Sequence, residues 1–548
     1  MTVFEYHDRT RHHLHRTAAG PGYLDWATMP AAFRRYAGAP LVSLPREGRT
    51  VWPDVPFDTL YRDGAGHRPV RPDVRSMGSF LRCSLGLSAW KQAGGERWAL
   101  RVNPSSGNLH PTEAYVVAGP GVLEAEAGGV YHYAPEIHGL ECRWRMDADA
   151  WRRWAGALPD GGFLVGLASI AWREAWKYGE RAYRYCQHDI GHAVAALRYS
   201  AALFGWDLAM LPAWSDAAAA TLLGLGQAAG DAEPEDPACL LVVSPSAIDR
   251  RMLPGENTEL VRAATGGPWL GEPNRLSPSH EHDWPVLSEV TRAATKTTAP
   301  ADGGAYSPLR SLASLGAGAA PPTARTVNAR EVLLSRRSAV AFDRGAPPLP
   351  LDDFLRMMDR LLPRAAPPWD ALFWPPAIHL AIFVHRVAGL APGLYALVRE
   401  PGALGDLRAA MRKDFAWEPA GPAGDLPLYL LAGGDTRDLA AYLSCGQAIA
   451  GDGTFSVGML ARFAGPVARH GQWFYRCLFW EAGAVGQVLY LEAEAAGVRG
   501  TGIGCYFDPA VHELLGLSDD RFQSLYHFTV GMPVEDARLQ GGPGYDWD

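Results

Sequence analysis

The sequence has no run of the roughly 18 apolar residues that a membrane span requires, and no apolar signal core at its N-terminus. Cysteine is sparse. Cys83, Cys142, Cys186, Cys239, Cys445, Cys477 and Cys505 are scattered, none forms a Cys-x-x-Cys, and several sit in apolar runs. That usage suits reduced core residues of a cytoplasmic protein without a disulfide framework. Basic charge is not in excess: 51 Lys and Arg stand against 59 Asp and Glu, a net charge of −8. Nucleic-acid and anionic-membrane partners are therefore not expected. His12, His13 and His15 lack a companion Cys or carboxylate pattern, so no metal site is expected. A dinucleotide-binding fingerprint is also missing.

At 548 residues the chain exceeds one ordinary core, and its 48 % hydrophobic and 10 % aromatic content argues for packed globular domains. Residues 290–325, rich in Thr, Ala, Gly and Pro, read as a flexible linker. The expected organisation is an N-terminal arm or cap over 1–75, a first domain over 76–285, a linker over 286–325 and a second domain over 326–548. Residues 76–90 read as helical. Ile190, Val194, Leu197, Ala201 and Phe204 recur at spacings of four and three, the pattern of an amphipathic helix.

The second half repeats the first. Tyr183-Arg-Tyr-Cys-Gln-His-Asp-Ile-Gly191 aligns with Tyr475-Arg-Cys-Leu-Phe-Trp-Glu-Ala-Gly483, and Leu222-Leu-Gly-Leu225 with Leu514-Leu-Gly-Leu517. Arg184 and Arg476, Gly191 and Gly483, and Gly224 and Gly516 are each 292 positions apart, without a gap. Tyr131 corresponds to Tyr395, and residues 163–168 roughly to 426–431. Two joined copies of one fold imply a pseudo-dimer within one polypeptide. Tyr183, Arg184 and Asp189 read as structural, because the second copy keeps a Tyr, an Arg and an acid (Glu481) there.

The most distinctive stretch is Asn103-Pro-Ser-Ser-Gly-Asn-Leu-His-Pro111, followed by the apolar Ala114, Tyr115, Val116 and Val117. It reads as a tight polar loop feeding a buried strand. Its residues alone suit either an ordinary Asx/Ser-rich turn or a surface for a polar planar ligand. The loop resembles the flavin-binding loop of the nitroreductase superfamily, in particular its SagB/McbC-type branch of azoline (thiazole/oxazole) dehydrogenases. Ser335-Arg-Arg-Ser338 with Phe342 resembles the same family's N-terminal signature, whose arginines bind the FMN phosphate. Two guanidiniums and a hydroxyl are what a dianionic phosphate requires. The place of that signature in the first copy reads Arg62-Asp63-Gly64, and the second copy has Leu372-Phe-Trp-Pro375 where the first has Ser105-Ser-Gly-Asn108. Gly500-Thr-Gly-Ile-Gly504 resembles the segment that donates to flavin N5, and residues 206–210 lack its glycines.

The resemblance implies an α+β, nitroreductase-like fold in two tandem copies and a single complete FMN site. Asn103, Pro104, Ser105, Ser106 and Asn108 would come from one half, and Arg336, Arg337, Ser338, Gly502, Ile503 and Gly504 from the other. Lys177-Tyr178 resembles the azoline dehydrogenases' Lys-Tyr pair, with the lysine as base; the residues alone also fit a solvated helix-end lysine. A lysine acts so near neutral pH only where desolvation or a neighbouring cation assists, and Arg173 and Arg181 are candidates for that cation. The implied activity is oxidation of a thiazoline or oxazoline in a peptide or carrier-bound natural product, by a chain that is a monomer or weak homodimer. Alternatives are an NAD(P)H-dependent nitro- or quinone reductase and a non-catalytic flavin-binding scaffold of a biosynthetic complex.

Overall fold

The β-branched and aromatic runs build two seven-stranded sheets in the computed structural model, which describes the chain except residues 47–51, 63–67, 124–127, 147–148, 150, 152–157, 227–231, 298–325 and 537. The first sheet runs, edge to edge, Leu41–Ser43, Gly139–Arg145, Gly129–Ala134, Thr112–Ala118, Phe163–Ser169, Asp236–Ser244 and Asp207–Met210. The second runs Glu418–Pro419, Leu428–Gly433, Gly393–Leu397, Ile378–Val384, Phe455–Arg462, Phe522–Gly531 and Arg499–Ile503. The strand pairs within both sheets are antiparallel. Apart from the edge strands Leu41–Ser43 and Glu418–Pro419, which enter from different points of the chain, the connectivity is the same, so the chain is two copies of one α+β unit.

Between the copies lie two helices, Ala182–Leu203 and Phe474–Ala495, each 22 residues long and beginning 292 positions apart. The helix Ala182–Leu203 is buried along its whole length. The helix expected over residues 190–204 is present, but its polar side is buried as well, bonded to residues of both copies rather than to water. The two helices meet at Gly191 and Gly483, where a Cβ would collide with the carbonyl oxygens of Trp480 and His188 respectively. Only glycine lets the backbones approach that closely.

Ion pairs cross the same junction reciprocally. Arg184 donates to Asp508 at 2.9 Å, and Arg476, its counterpart 292 positions on, donates to Asp216 at 2.9 and 3.0 Å. Asp216 and Asp508 are themselves 292 apart and open the helices Asp216–Leu223 and Asp508–Leu515. Each of those helices is closed by a left-handed glycine, Gly224 (φ 71°) and Gly516 (φ 79°), which explains the repeated Leu-Leu-Gly-Leu. Such exchange is the signature of an isologous interface, here folded into one chain.

Several expectations change. Residues 1–75 do more than wrap: Leu41–Ser43 is an edge strand of the first sheet. The helix Val3–Arg9, started by a Thr2–Glu5 capping box, leads to His7 and Thr10, whose oxygens accept from Arg184. The expected linker begins as a helix, Pro285–Ala293, with Val286, Leu287 and Val290 buried; its remainder at 298–325 lies outside the described residues. The helix expected at 76–90 is Val74–Ser84, and Leu87–Ala93 is a strand between Glu96–Arg101 and Gln540–Pro543. The C-terminal strand of the second copy thus closes a small sheet on the first. Finally, the partner of Phe163–Ser169 is Phe455–Arg462, 292 positions on, and not residues 426–431. Short apolar strands resemble one another, and only sheet position separates them.

Candidate active site

The loop after the strand Glu96–Arg101 is held in an uncommon conformation. Gly107 (φ 59°), Asn108 (φ 60°) and His110 (φ 53°) all have left-handed backbones. Two of the three are not glycine, a strain that local bonds must sustain. Asn108 supplies them: its Nδ2 donates to Ala99 O at 2.9 Å, and its Oδ1 lies 2.9 Å from His110 Nε2. The Ser105 hydroxyl accepts the His110 amide at 2.8 Å.

This loop forms one wall of a cavity of about 430 Å³, within the range of small-molecule sites. Residues 103–106 and 108 face it from the first copy, and residues 336–338 and 502–504 from the second. Tyr178 lines it; Lys177 does not. A Cβ on Gly107 would sit 2.6 Å from Tyr178 OH and 3.2 Å from Lys177 Nζ, so both groups pack closely against the loop at Gly107. Lys177 Nζ lies 5.3 Å from the centre of the Tyr178 ring. Arg173 and Arg181, the expected helper cations, are engaged elsewhere. Arg173 pairs with Glu113, and Arg181 donates to Asp508 and Gly504 O.

The two arginines of the second copy differ in what they hold. Buried Arg336 donates to Arg101 O at 2.7 Å and Val102 O at 2.9 Å, tying the second copy to the strand that carries the loop. Arg337 donates to Ser88 O at 2.7 Å and to the carbonyls of Leu334 and Arg336. Among the described residues neither forms a salt bridge. Burial lowers the pKa of both, and for Arg337, with the neighbouring Arg336 adding to it, to about 10, which leaves Arg337 a cation at neutral pH. Ser338 Oγ lies 2.8 Å from Tyr490 OH, which accepts the Gly502 amide at 3.0 Å. Side chains at Gly502 and Gly504 would collide with Tyr526 and Tyr185, so the bare backbone is what faces the cavity.

Beneath the loop lie two buried carboxyls. Asp189 Oδ1 accepts from the Ser106 amide at 3.2 Å and hydroxyl at 3.3 Å, while its Oδ2 accepts no hydrogen bond among the described residues. Burial, only partly offset by Ser105 and Ser106, pushes Asp189 up to about 7. Glu174 is raised well above its ordinary value by burial and by Asp189. Tyr178 is raised by burial and by Glu174, and so stays protonated. Asp189, which reads as structural in the sequence, stands on the cavity wall. The available signal was its shortening by one methylene relative to Glu481. Tyr490, Tyr526 and Cys505 also line the cavity, and no motif marks them.

At the mirror position the space is filled. Glu481 accepts from Trp374 Nε1 at 3.2 Å, the Ala377 amide at 2.9 Å and the Ile378 amide at 3.2 Å, and it pairs with Arg399. Arg198, the counterpart of Tyr490, holds Asp370 with bonds of 2.9 and 2.7 Å. Of the degenerate Arg62-Asp63-Gly64, residues 63 and 64 lie outside the described residues.

No protein-family model and no curated protein matches the chain. A crystal structure of a protein from Anabaena variabilis ATCC 29413, provisionally named a nitroreductase, matches with a TM-score of 0.67 and 21 % identity, over 97 % of this chain and 99 % of that one. The fold is nitroreductase-like, in two tandem copies. Lesser likenesses are to a protein of the same provisional name from Ralstonia eutropha JMP134 and to the E. coli microcin synthetase McbBCD complex with truncated pro-MccB17 bound. The first has a TM-score of 0.27 and 15 % identity over 41 % of this chain and 96 % of that one. The second has a TM-score of 0.26 and 19 % identity over 37 % of this chain and 71 % of that one. The described residues contain no helix long and apolar enough to cross a membrane and no cluster of potential metal ligands.

Proposed function

We propose that the chain is an FMN-dependent oxidoreductase with one composite site, and that it dehydrogenates an azoline ring of a peptide or carrier-bound substrate. The observation that carries this reading is the convergence of the polar loop 103–108 from one copy with Arg336, Arg337 and the glycine strand from the other around one cavity.

The residues suit FMN chemically. Arg337 and Ser338 offer charge and a hydroxyl to a phosphate, beside the more deeply engaged Arg336. Asn103 Oδ1 is buried without a hydrogen-bond partner among the described residues, as an acceptor awaiting a ligand N–H would be. The backbone at Gly502 and Gly504 allows close approach of a flat ring. When bound, FMN supplies a two-electron acceptor for hydride.

The chain supplies the rest. Tyr178, held protonated, presents its O–H to the substrate and positions it, and Lys177, packed at Gly107 beside the Tyr178 ring, is the base for the ring proton. Asp189 holds the Ser106 amide and hydroxyl, and with them the loop's shape. The walls from both copies exclude water.

The test is flavin released per chain from purified protein, followed by turnover of a thiazoline peptide. About one FMN per chain is expected. Arg337→Ala should weaken binding by about ten- to a hundredfold, the worth of a charge-assisted hydrogen bond of ~1.5–3 kcal/mol. Lys177→Ala should keep the flavin and lose turnover. Two FMN per chain, or none after FMN is supplied, would overturn the composite site.

A further inference from the structure

Five of the seven cysteines are buried, and the other two, Cys445 and Cys505, are half-exposed neighbours. They lie 60 positions apart, yet their Sγ atoms are 2.9 Å from each other, within about 1 Å of the ~2.05 Å of a disulfide. Cys505 directly follows Gly504 and lines the cavity. Cys445 lies off the cavity wall at the end of the helix Arg437–Leu443, with a left-handed backbone (φ 55°) that few residues other than glycine adopt without cost. Gln447 ties the two segments together: its Nε2 donates to Ser444 O at 2.9 Å and to Cys505 O at 3.1 Å. A strained turn so braced serves to bring one thiol to the other.

The environment separates the two thiols. The Cys445 thiol, with His12 and Arg181 nearby, holds Cys505 below the ordinary thiol range despite burial, while Cys445 is pushed up by its partner. A thiolate is thus set beside a thiol, the arrangement that dithiol–disulfide chemistry uses. Buried Cys83 and Cys239 show the opposite case, each pushed up to about 12 by burial.

We propose that Cys445 and Cys505 are a redox-active pair that exchanges two electrons with the flavin in the adjacent cavity, an activity separate from oxidation of a heterocycle. This rests on the FMN reading above. The Cys505 thiolate and the Cys445 thiol form an S–S bond; the S–H bond of Cys445 breaks. The electron pair and that proton pass to oxidised FMN, which becomes the singly protonated reduced flavin. An external small dithiol then reduces the disulfide by exchange and becomes a disulfide itself. The pair thereby lets thiol reductants feed the site without a nicotinamide.

The test uses full-length protein loaded with FMN. Diamide treatment should reduce the thiols titrated after denaturation from seven to five, and peptide mapping should find residues 445 and 505 cross-linked. Under anaerobic conditions, dithiothreitol should bleach the wild-type flavin band. Cys445→Ser should retain FMN and lose the bleaching. A chain that holds FMN but forms no 445–505 cross-link overturns the pair alone, as does a Cys445→Ser variant that bleaches at the wild-type rate. Should that variant fail to fold, the wild-type cross-link and bleaching decide. A chain that binds no FMN overturns the functional reading, and this activity with it.

Discussion

Asp189 and Glu481 hold the same position in the two copies and have opposite surroundings. Glu481 is satisfied by an indole, two backbone amides and Arg399. Asp189 has only the Ser105–Ser106 turn and, among the described residues, no ion-pair partner, and burial raises it to about 7 from an unfolded value of about 4. A carboxyl raised on folding binds protons in the native state that the unfolded chain has released, so stability falls as pH rises from about 4 to about 7. Asp189→Asn keeps an acceptor for Ser106 without the charge. Its Tm should fall less between pH 4 and 8 than that of the wild type, and it should be the more stable protein at pH 8. Thermal unfolding followed by circular dichroism checks this, and a wild-type pH slope retained in the variant would remove Asp189 as its source. The same unneutralised carboxyl makes the loop side of the cavity costly to maintain, which fits a position kept for the site rather than for stability.

The two central helices are the element on which the rest depends. Their equal lengths and their 292-residue offset are visible in the sequence as matched Arg and Gly positions. Their burial is not. A periodic apolar face on Ala182–Leu203 predicts a wet opposite face, and Arg184, Asp189, His192 and Arg198 on that face pair instead with Asp508, the Ser106 loop, Gln487 and Asp370. Polar residues that serve a second copy or a buried loop look, in one dimension, like residues that serve water. The glycine crossing gives the element-scale prediction. Gly191→Ala forces a methyl against Trp480 O, and the two helices can relieve it only by separating. The expected loss is about 2–3 kcal/mol, the scale of overpacking a rigid core, read as a lowered denaturation midpoint. An alanine tolerated without loss would mean that the helices are not held in contact there.

At the scale of the whole molecule the copies are exchanged at both ends. Residues 7–12 of the first copy bond Arg184 and Asp508 at the junction, and the strand Gln540–Pro543 of the second pairs with Leu87–Ala93 of the first. The covalent join is therefore not what holds them together. A protease site placed within 298–325 and then cut should leave two fragments that co-elute and keep the flavin. Fragments that separate at neutral pH would contradict an interface of this extent.

The sequence by itself determined that there are two copies, that they share one fold, and which loop and which arginine pair are unlike their counterparts. It could do so because a tandem repeat provides its own comparison, and a lost glycine or a gained tryptophan is legible residue by residue. Only the tertiary structure decided that Tyr178, and not Lys177, stands on the cavity wall, that Asp189 supports the loop, and that Cys445 and Cys505 meet. Those facts depend on which face of a buried helix turns to which copy and on contacts between residues tens to hundreds of positions apart. Packing sets such contacts, and no local pattern records them.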